Sequence, residues 1–175
     1  DQPDLARRPM LTRGRPALRE NRQVFEDILC AATHYLLEKT PQQISTKEIA
    51  ARAGTRPAMI YYYFGSKDGL LQEIIRRNVE EILEDFLAMQ EAIRRGELRD
   101  PTREMIAFLV TVFQRHPALC RILASEQLRE ESPLTKFYAH QWGSRARTMV
   151  TEAITQLAEA GYYRRNIDVE RTFAM

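Results

Sequence analysis

The chain predicts an all-α protein, an N-terminal three-helix helix-turn-helix unit followed by a helical bundle. Three observations support this. The alternating apolar–polar pattern of half-buried strands is absent, and apolar residues recur at helical spacing along most of the chain. Only seven glycines occur in 175 residues. Residues 45–64 describe two very short helices joined at Gly54, a pattern that makes sense only as part of a packed helical unit.

Residues 1–18 are polar, basic and proline-containing and read as a flexible arm. From about Asn21 to Lys39, Val24, Phe25, Ile28, Leu29, Ala32, Tyr35 and Leu36 form one apolar stripe, the mark of a first helix. Thr40-Pro41 ends it, because a proline pushes the preceding residue out of helical geometry. Ser45-x-x-Glu48 is a capping box that opens a second helix, and Gly54 closes it. Thr55 or Arg56 caps a third helix over about 57–63, with Pro57 in the first turn where no backbone donor is needed. Both short helices must pack on the first. Their shared core is expected at Ile28, Ala32, Ile49, Ile60, Tyr63 and Phe64.

Ser66-Lys67-Asp68 starts a long fourth helix whose stripe runs from Leu70 to Leu87. A polar break follows at Gly96–Pro101. The fifth helix, about 101–115, is apolar nearly all round between Met105 and Phe113, which predicts a central, buried position. His116-Pro117 separates it from a sixth helix over about 117–129. Ser132-Pro133 opens a long seventh helix that ends at Gly161. From Asp168 another helical pattern begins and reaches Met175 without a stop signal, so further helical sequence is expected beyond it. The expected domains are the arm (1–18), the helix-turn-helix (19–66) and a bundle (67–175).

Net charge is only +2, yet Arg7, Arg8, Arg13, Arg15, Arg19 and Arg22 stand against one acid, Glu20, in residues 5–22. A local basic block suits contact with a polyanion, and equally suits a solvated tail. The longest strongly apolar stretch is Met105–Phe113, well short of the roughly 20 residues that span a bilayer. The Asp-Gln-Pro-Asp start has no apolar segment of a signal peptide. Cys30 and Cys120 are expected as reduced core thiols, and His34, His116 and His140 share no ligand spacing, so neither a metal nor a cofactor is expected.

The window Ser45–Leu71 carries the functional expectation. A major groove about 12 Å wide admits one helix, read through its N-terminal side chains. Here those are Thr55, Arg56, Pro57, Ala58 and Met59. Arg56 can pair with guanine or, alternatively, meet a phosphate or solvent. Met59 can touch a thymine methyl or pack inward. Tyr61, Tyr62 and Tyr63 cannot share one role, because successive helical positions point in different directions. Tyr63 and Phe64 are the better inward pair, leaving Tyr61 and Tyr62 toward the groove and its phosphates. Lys67, at the start of the fourth helix, and Ser45, Thr46 and Lys47, at the start of the second, are placed to meet phosphates. The arginine arm can reach a minor groove or lie along the backbone.

The stretch S-T-K-E-I-A-A-R-A-G-T-R-P-A-M-I-Y-Y-Y-F-G-S-K-D-G-L-L closely resembles the DNA-binding segment of the TetR family of bacterial transcriptional regulators. The I-A-x-x-A-G turn and the Y-x-Y-F-x-S-K-x-x-L-L tail together carry the likeness, which covers roughly residues 21–75. The resemblance implies a bacterial, cytoplasmic homodimer on a double-stranded, palindromic DNA operator, usually a repressor, with about nine helices and a small-molecule effector bound in the C-terminal part. By position it implies that Tyr61 and Tyr62 contact bases or phosphates, that Lys67 holds a phosphate, and that Ser45 or Thr46 holds the phosphate at the second helix. Arg56 and Pro57 depart from the small capping residue and the polar residue common there, so no base preference carries over.

An effector pocket, if formed, is expected between the fourth, fifth and seventh helices. Phe86, Met105, Phe108, Leu109, Phe113, Tyr138, Trp142 and Met149 would line it, or else form ordinary core. Their character suits a hydrophobic or amphipathic ligand, with His140, Gln141 or Arg145 as a polar anchor. A DNA-binding protein of the same fold without a small-molecule effector is the alternative. No nucleophile–base pair, glycine-rich phosphate loop or catalytic carboxylate pair is recognisable, so an enzyme is not expected.

Overall fold

The first helix, α1 (Leu18–Leu36), turns its stripe inward, and Ile28, Leu29, Ala31, Ala32 and Leu36 are buried. The computed structural model describes residues 18–127 and 132–162. The arm through residue 17 and the helix expected from Asp168 lie outside the described residues. After α1 the chain makes a short 3₁₀ turn, Pro41–Gln43, where the Gln43 side-chain oxygen accepts from the Thr40 N–H at 2.9 Å. Then follow α2 (Thr46–Arg52), α3 (Pro57–Phe64) and the 28-residue α4 (Lys67–Arg94). Gly54, at φ +63°, takes the left-handed conformation that closes α2, and the Thr55 N–H reaches back to the Ala50 carbonyl at 2.9 Å.

Asp100 caps α5 (Pro101–Arg115) by accepting from the Arg103 N–H at 3.1 Å. His116-Pro117 breaks the chain into α6 (Pro117–Gln127), and Ser132 caps α7 (Pro133–Tyr138). The single seventh helix expected from sequence is interrupted by a π turn, Ala139–Gly143, before it continues as α8 (Ser144–Glu159). Buried Trp142 lies in that wide turn, with its ring 5.4 Å from Phe137. A π turn inserts one extra residue without breaking the helix, which hydrophobic spacing alone does not reveal. Among the described residues there is no strand, and no single helix is long and apolar enough to cross a membrane.

The packing crosses the boundary expected at residues 66/67. One core cluster joins Ile28, Ile49 and Ile60 of the helix-turn-helix to Leu70, Ile74 and Ile75 of α4, and continues to Leu119 and Ile122 of α6 and to Leu134 of α7. Thus α6 packs on α1 and shares its core. A second, smaller cluster holds Phe86, Met149 and Ala153, with Met105 and Phe108 packed against it.

Two expectations are corrected here. The α5 helix is not buried: Ile106, Leu109, Val110 and Phe113 are 49–66% exposed. Only one side of α5 meets described neighbours, through Phe108 on Phe86 with ring centroids 5.5 Å apart. An all-round apolar sequence sets the preference of a helix for burial but supplies no partner for its second face. The cysteines are not core thiols either, since Cys30 is exposed and Cys120 is half-buried.

His116, at the α5–α6 break, is buried. The Asn78 amide nitrogen donates to the Ile74 carbonyl at 2.7 Å, so the Asn78 oxygen faces His116 Nδ1 at 2.8 Å as an acceptor. This assigns the imidazole proton to Nδ1. Burial pushes the His116 pKa below its ordinary 6.5, and Arg115 adds to this while Glu81 and Asp85 oppose it. The unfolded chain therefore takes up a proton first as pH falls through about 6.5. The urea midpoint should be flat above that pH for this group and fall below it, and His116→Gln should flatten the profile between about pH 7 and 5.5.

Candidate nucleic-acid interface

The start of α2 is built by a complete capping box. Ser45 Oγ accepts from the Glu48 N–H at 3.2 Å, while the Glu48 carboxylate accepts from the Ser45 N–H at 2.8 Å and from its hydroxyl at 2.7 Å. Lys39 donates to the other Glu48 oxygen at 2.9 Å. The Lys39 ammonium, followed by the Ser45 donors, holds the Glu48 carboxyl down at about 2. Lys39 and Arg52 also flank the Tyr35 ring, at 5.2 and 5.7 Å from its centroid. The Ser45 hydroxyl is thus occupied in capping, Thr46 is half-buried, and Lys47 is exposed.

Arg56 occupies the N-cap position of α3 but its side chain makes no capping hydrogen bond, so the exposed guanidinium is not engaged at the helix end. Thr55 and Pro57 are half-buried and Ala58 is exposed. Met59, left open by the sequence, packs against the core, and Ile60 is completely buried. Tyr61 and Tyr62 project outward at 54% and 71% exposure. Tyr63 turns inward and donates to Asn21 Oδ1 at 3.0 Å, while Phe64 stacks on Phe25 at 4.7 Å. The division of the three tyrosines read from helical geometry is therefore the one observed. Arg56, Ala58, Tyr61 and Tyr62 leave α3 exposed on the side away from Ile60.

Lys67, expected at a phosphate, is engaged within the protein itself. Its ammonium donates to the Pro41 carbonyl at 2.6 Å and the Ile44 carbonyl at 2.8 Å. These carbonyls belong to the turn between α1 and α2, where peptide acceptors lack helical partners. The reason is local, because the start of α4 lies against that turn and the lysine stem is long enough to reach it.

Four residues of this unit have roles that the sequence reading did not assign. Asn21 anchors Tyr63. Arg77 of α4 makes a two-pronged ion pair with Glu26 of α1 at 2.7 and 2.9 Å, bonds Glu73 at 3.0 Å and lies over the Phe25 ring. Ser66 Oγ accepts from the Gly69 N–H at 2.9 Å and caps α4. A Cβ at Gly69 would overlap the Phe64 carbonyl oxygen, so the ends of α3 and α4 approach closely only because residue 69 has no side chain. Gly69→Ala should therefore cost about 1–3 kcal/mol of stability in urea unfolding. An unchanged midpoint would show that the two helix ends separate freely.

The residues expected around an effector do not form one site. Phe86, Met105, Phe108 and Met149 come together in the second cluster, whereas Tyr138 and Trp142 lie with the first, their rings 6.3 Å apart. Leu109 and Phe113 are exposed, and His140, Gln141 and Arg145 also face outward. Two cavities lie elsewhere. An open cleft of about 470 Å³ runs between α1 and α4 past Leu29, Cys30, Ile74 and Arg77. A smaller one of about 160 Å³ lies beside Gln42, Lys67 and Glu126. Among the described residues no group of His, Cys, Asp and Glu could hold a metal ion.

Comparison with known proteins converges on the same segment. Residues 28–74 match the family model of bacterial regulatory proteins, tetR family. The chain is 38% identical over 87 residues to the HTH-type transcriptional repressor NicS of Pseudomonas putida, which covers 48% of this chain and 39% of that protein. It is 31% identical over 115 residues to the nucleoid occlusion factor SlmA of Colwellia psychrerythraea, covering 61% and 54%. The matched regions thus span about two fifths and about half of these two curated relatives. Among solved structures, HlyIIR, a hemolysin II transcriptional regulator, aligns with a TM-score of 0.61 at 23% identity over 87% of this chain and 82% of that one. A linker-substituted HlyIIR aligns at 0.67 and 23%, over 87% and 80%. The structural likeness speaks for the fold, and the sequence matches speak for the helix-turn-helix segment that α1–α4 build. Over residues 28–74, then, the chain carries the helix-turn-helix segment described by the model of the tetR family of bacterial regulatory proteins.

Proposed function

We propose that this chain is a sequence-specific DNA-binding transcriptional regulator, a homodimeric repressor released from a palindromic operator by a small hydrophobic or amphipathic ligand. The observation that carries the DNA-binding part is the outer face of α3, where Arg56, Tyr61 and Tyr62 stand exposed on a helix whose opposite side is fixed by fully buried Ile60. A helix presented in this way can enter a major groove without rearranging the core. Arg56 reads a base edge or grips a phosphate, Tyr61 and Tyr62 meet phosphates or bases, and Lys47 adds positive charge at the start of α2. The family is one of regulators rather than enzymes.

A second reading, a DNA-binding protein of this fold without a small-molecule effector, is favoured by the exposure of Leu109 and Phe113, which leaves the expected ligand lining divided. The two readings share the same DNA face and differ only in what releases it.

Selection of bound duplexes from a random pool at physiological salt tests the shared part. An enriched inverted repeat is the expected result, and sequence-blind, salt-sensitive binding alone would overturn it. Tyr62→Ala should weaken binding roughly three- to tenfold across all duplexes, as loss of a phosphate hydrogen bond does. Arg56→Ala should instead relax preference at one base position per half-site, and an unaltered base profile would remove the base contact.

A further inference from the structure

We infer that Glu126 is a positioning residue that sets the DNA-reading helix pair against the C-terminal bundle through Gln42, an inference that rests on the DNA-binding reading above. Glu126 lies at the end of α6, far in sequence from the helix-turn-helix, and is 1% exposed. One of its carboxyl oxygens accepts from the side-chain amide of Gln42 at 2.5 Å. The other accepts from the hydroxyl of buried Ser132, the cap of α7. One side chain thus joins three elements: α6, α7 and the turn between α1 and α2.

The same turn is gripped from other sides. Lys67 of α4 holds the Pro41 and Ile44 carbonyls, and Arg121 of α6 donates to the Leu37 carbonyl at 3.0 Å. Gln42 is only three residues from Ser45, which caps α2, so the direction in which α2 and α3 leave α1 depends on where this turn is held. Burying a carboxyl is unfavourable unless it is bonded, and a well-packed apolar side chain at such a site is often the more stable choice. What a carboxyl adds is direction, because its two oxygens demand two donors at defined places. A shift of α6 relative to α7 would have to break this junction or carry the α1–α2 turn with it.

The test exchanges the two partners in the full chain. Gln42→Glu places an acid against an acid, and adding Glu126→Gln restores a donor–acceptor pair with reversed roles. Two readouts are taken: backbone hydrogen exchange in every helix, and affinity for the duplex selected by the parent chain against a scrambled duplex. With Gln42→Glu, amides of α2 and α3 should exchange on the order of tenfold faster while those of α8 keep their rate, and the preference for the selected duplex should fall by a similar factor. The double variant should recover both. Unchanged exchange in α2 and α3, equal acceleration in all helices, or failure of the double variant to recover would each overturn the positioning role. If Gln42→Glu does not fold, Gln42→Ala removes the donor without adding charge and should give the same pattern at smaller amplitude. If the parent chain enriches no sequence, the DNA-binding reading fails, and hydrogen exchange still decides the tie.

Discussion

Ile60→Ala is expected to lower the unfolding free energy by about 2–5 kcal/mol, the range for truncating a buried isoleucine in a core that cannot collapse around the gap. Ile60 is completely buried beneath α3, in the cluster that also holds Ile28, Ile49 and Leu70. At eight residues, α3 has no stability apart from this packing. The loss should therefore appear in the urea midpoint and also in binding, because Arg56, Tyr61 and Tyr62 keep their places only while α3 stays seated. Tyr62→Ala provides the contrast, since Tyr62 is 71% exposed and its removal should leave the midpoint nearly unchanged. If Ile60→Ala and Tyr62→Ala weakened binding equally with equal midpoints, the core under α3 would not be what presents its outer face.

Lys67→Met separates two roles for one lysine. Lys67 donates to the Pro41 and Ile44 carbonyls, and methionine keeps the apolar stem while removing the donor. A tie to the turn predicts a loss of about 1–3 kcal/mol in total, or about 2–4 °C in melting temperature per kcal/mol for a chain of this size. A phosphate contact predicts no change in stability and a salt slope smaller by about 1. The geometry favours the first outcome for the free protein. An unaltered melting temperature together with the reduced slope would mean that the ammonium leaves the turn when DNA arrives.

Most of the fold was legible in the sequence because its signals are local. The Ser45–Glu48 box, the left-handed Gly54, Pro57 in the first turn of α3 and the His116-Pro117 break each act within a few residues, and each lies where it was expected. The inward turn of Tyr63 and the outward turn of Tyr61 and Tyr62 follow from helical geometry and the space available in a two-turn helix. The features that stayed hidden depend on distant partners. No local pattern marks Gly69 as the point where α3 and α4 nearly touch, or Glu126 as a buried carboxyl that meets Gln42 across 84 positions.

By itself, then, the sequence determined where most helices start and stop, though not the π turn between α7 and α8, and which α3 side chains face outward. Only the tertiary structure decided which offered faces found a partner. It left α5 half-covered although its sequence is apolar nearly all round, turned Lys67 toward two peptide carbonyls, and drew α6 onto α1 so that one core runs through both expected domains. The physical reason is that propensity, capping and periodicity are summed over neighbours along the chain, whereas burial and hydrogen-bond pairing are settled by neighbours in space.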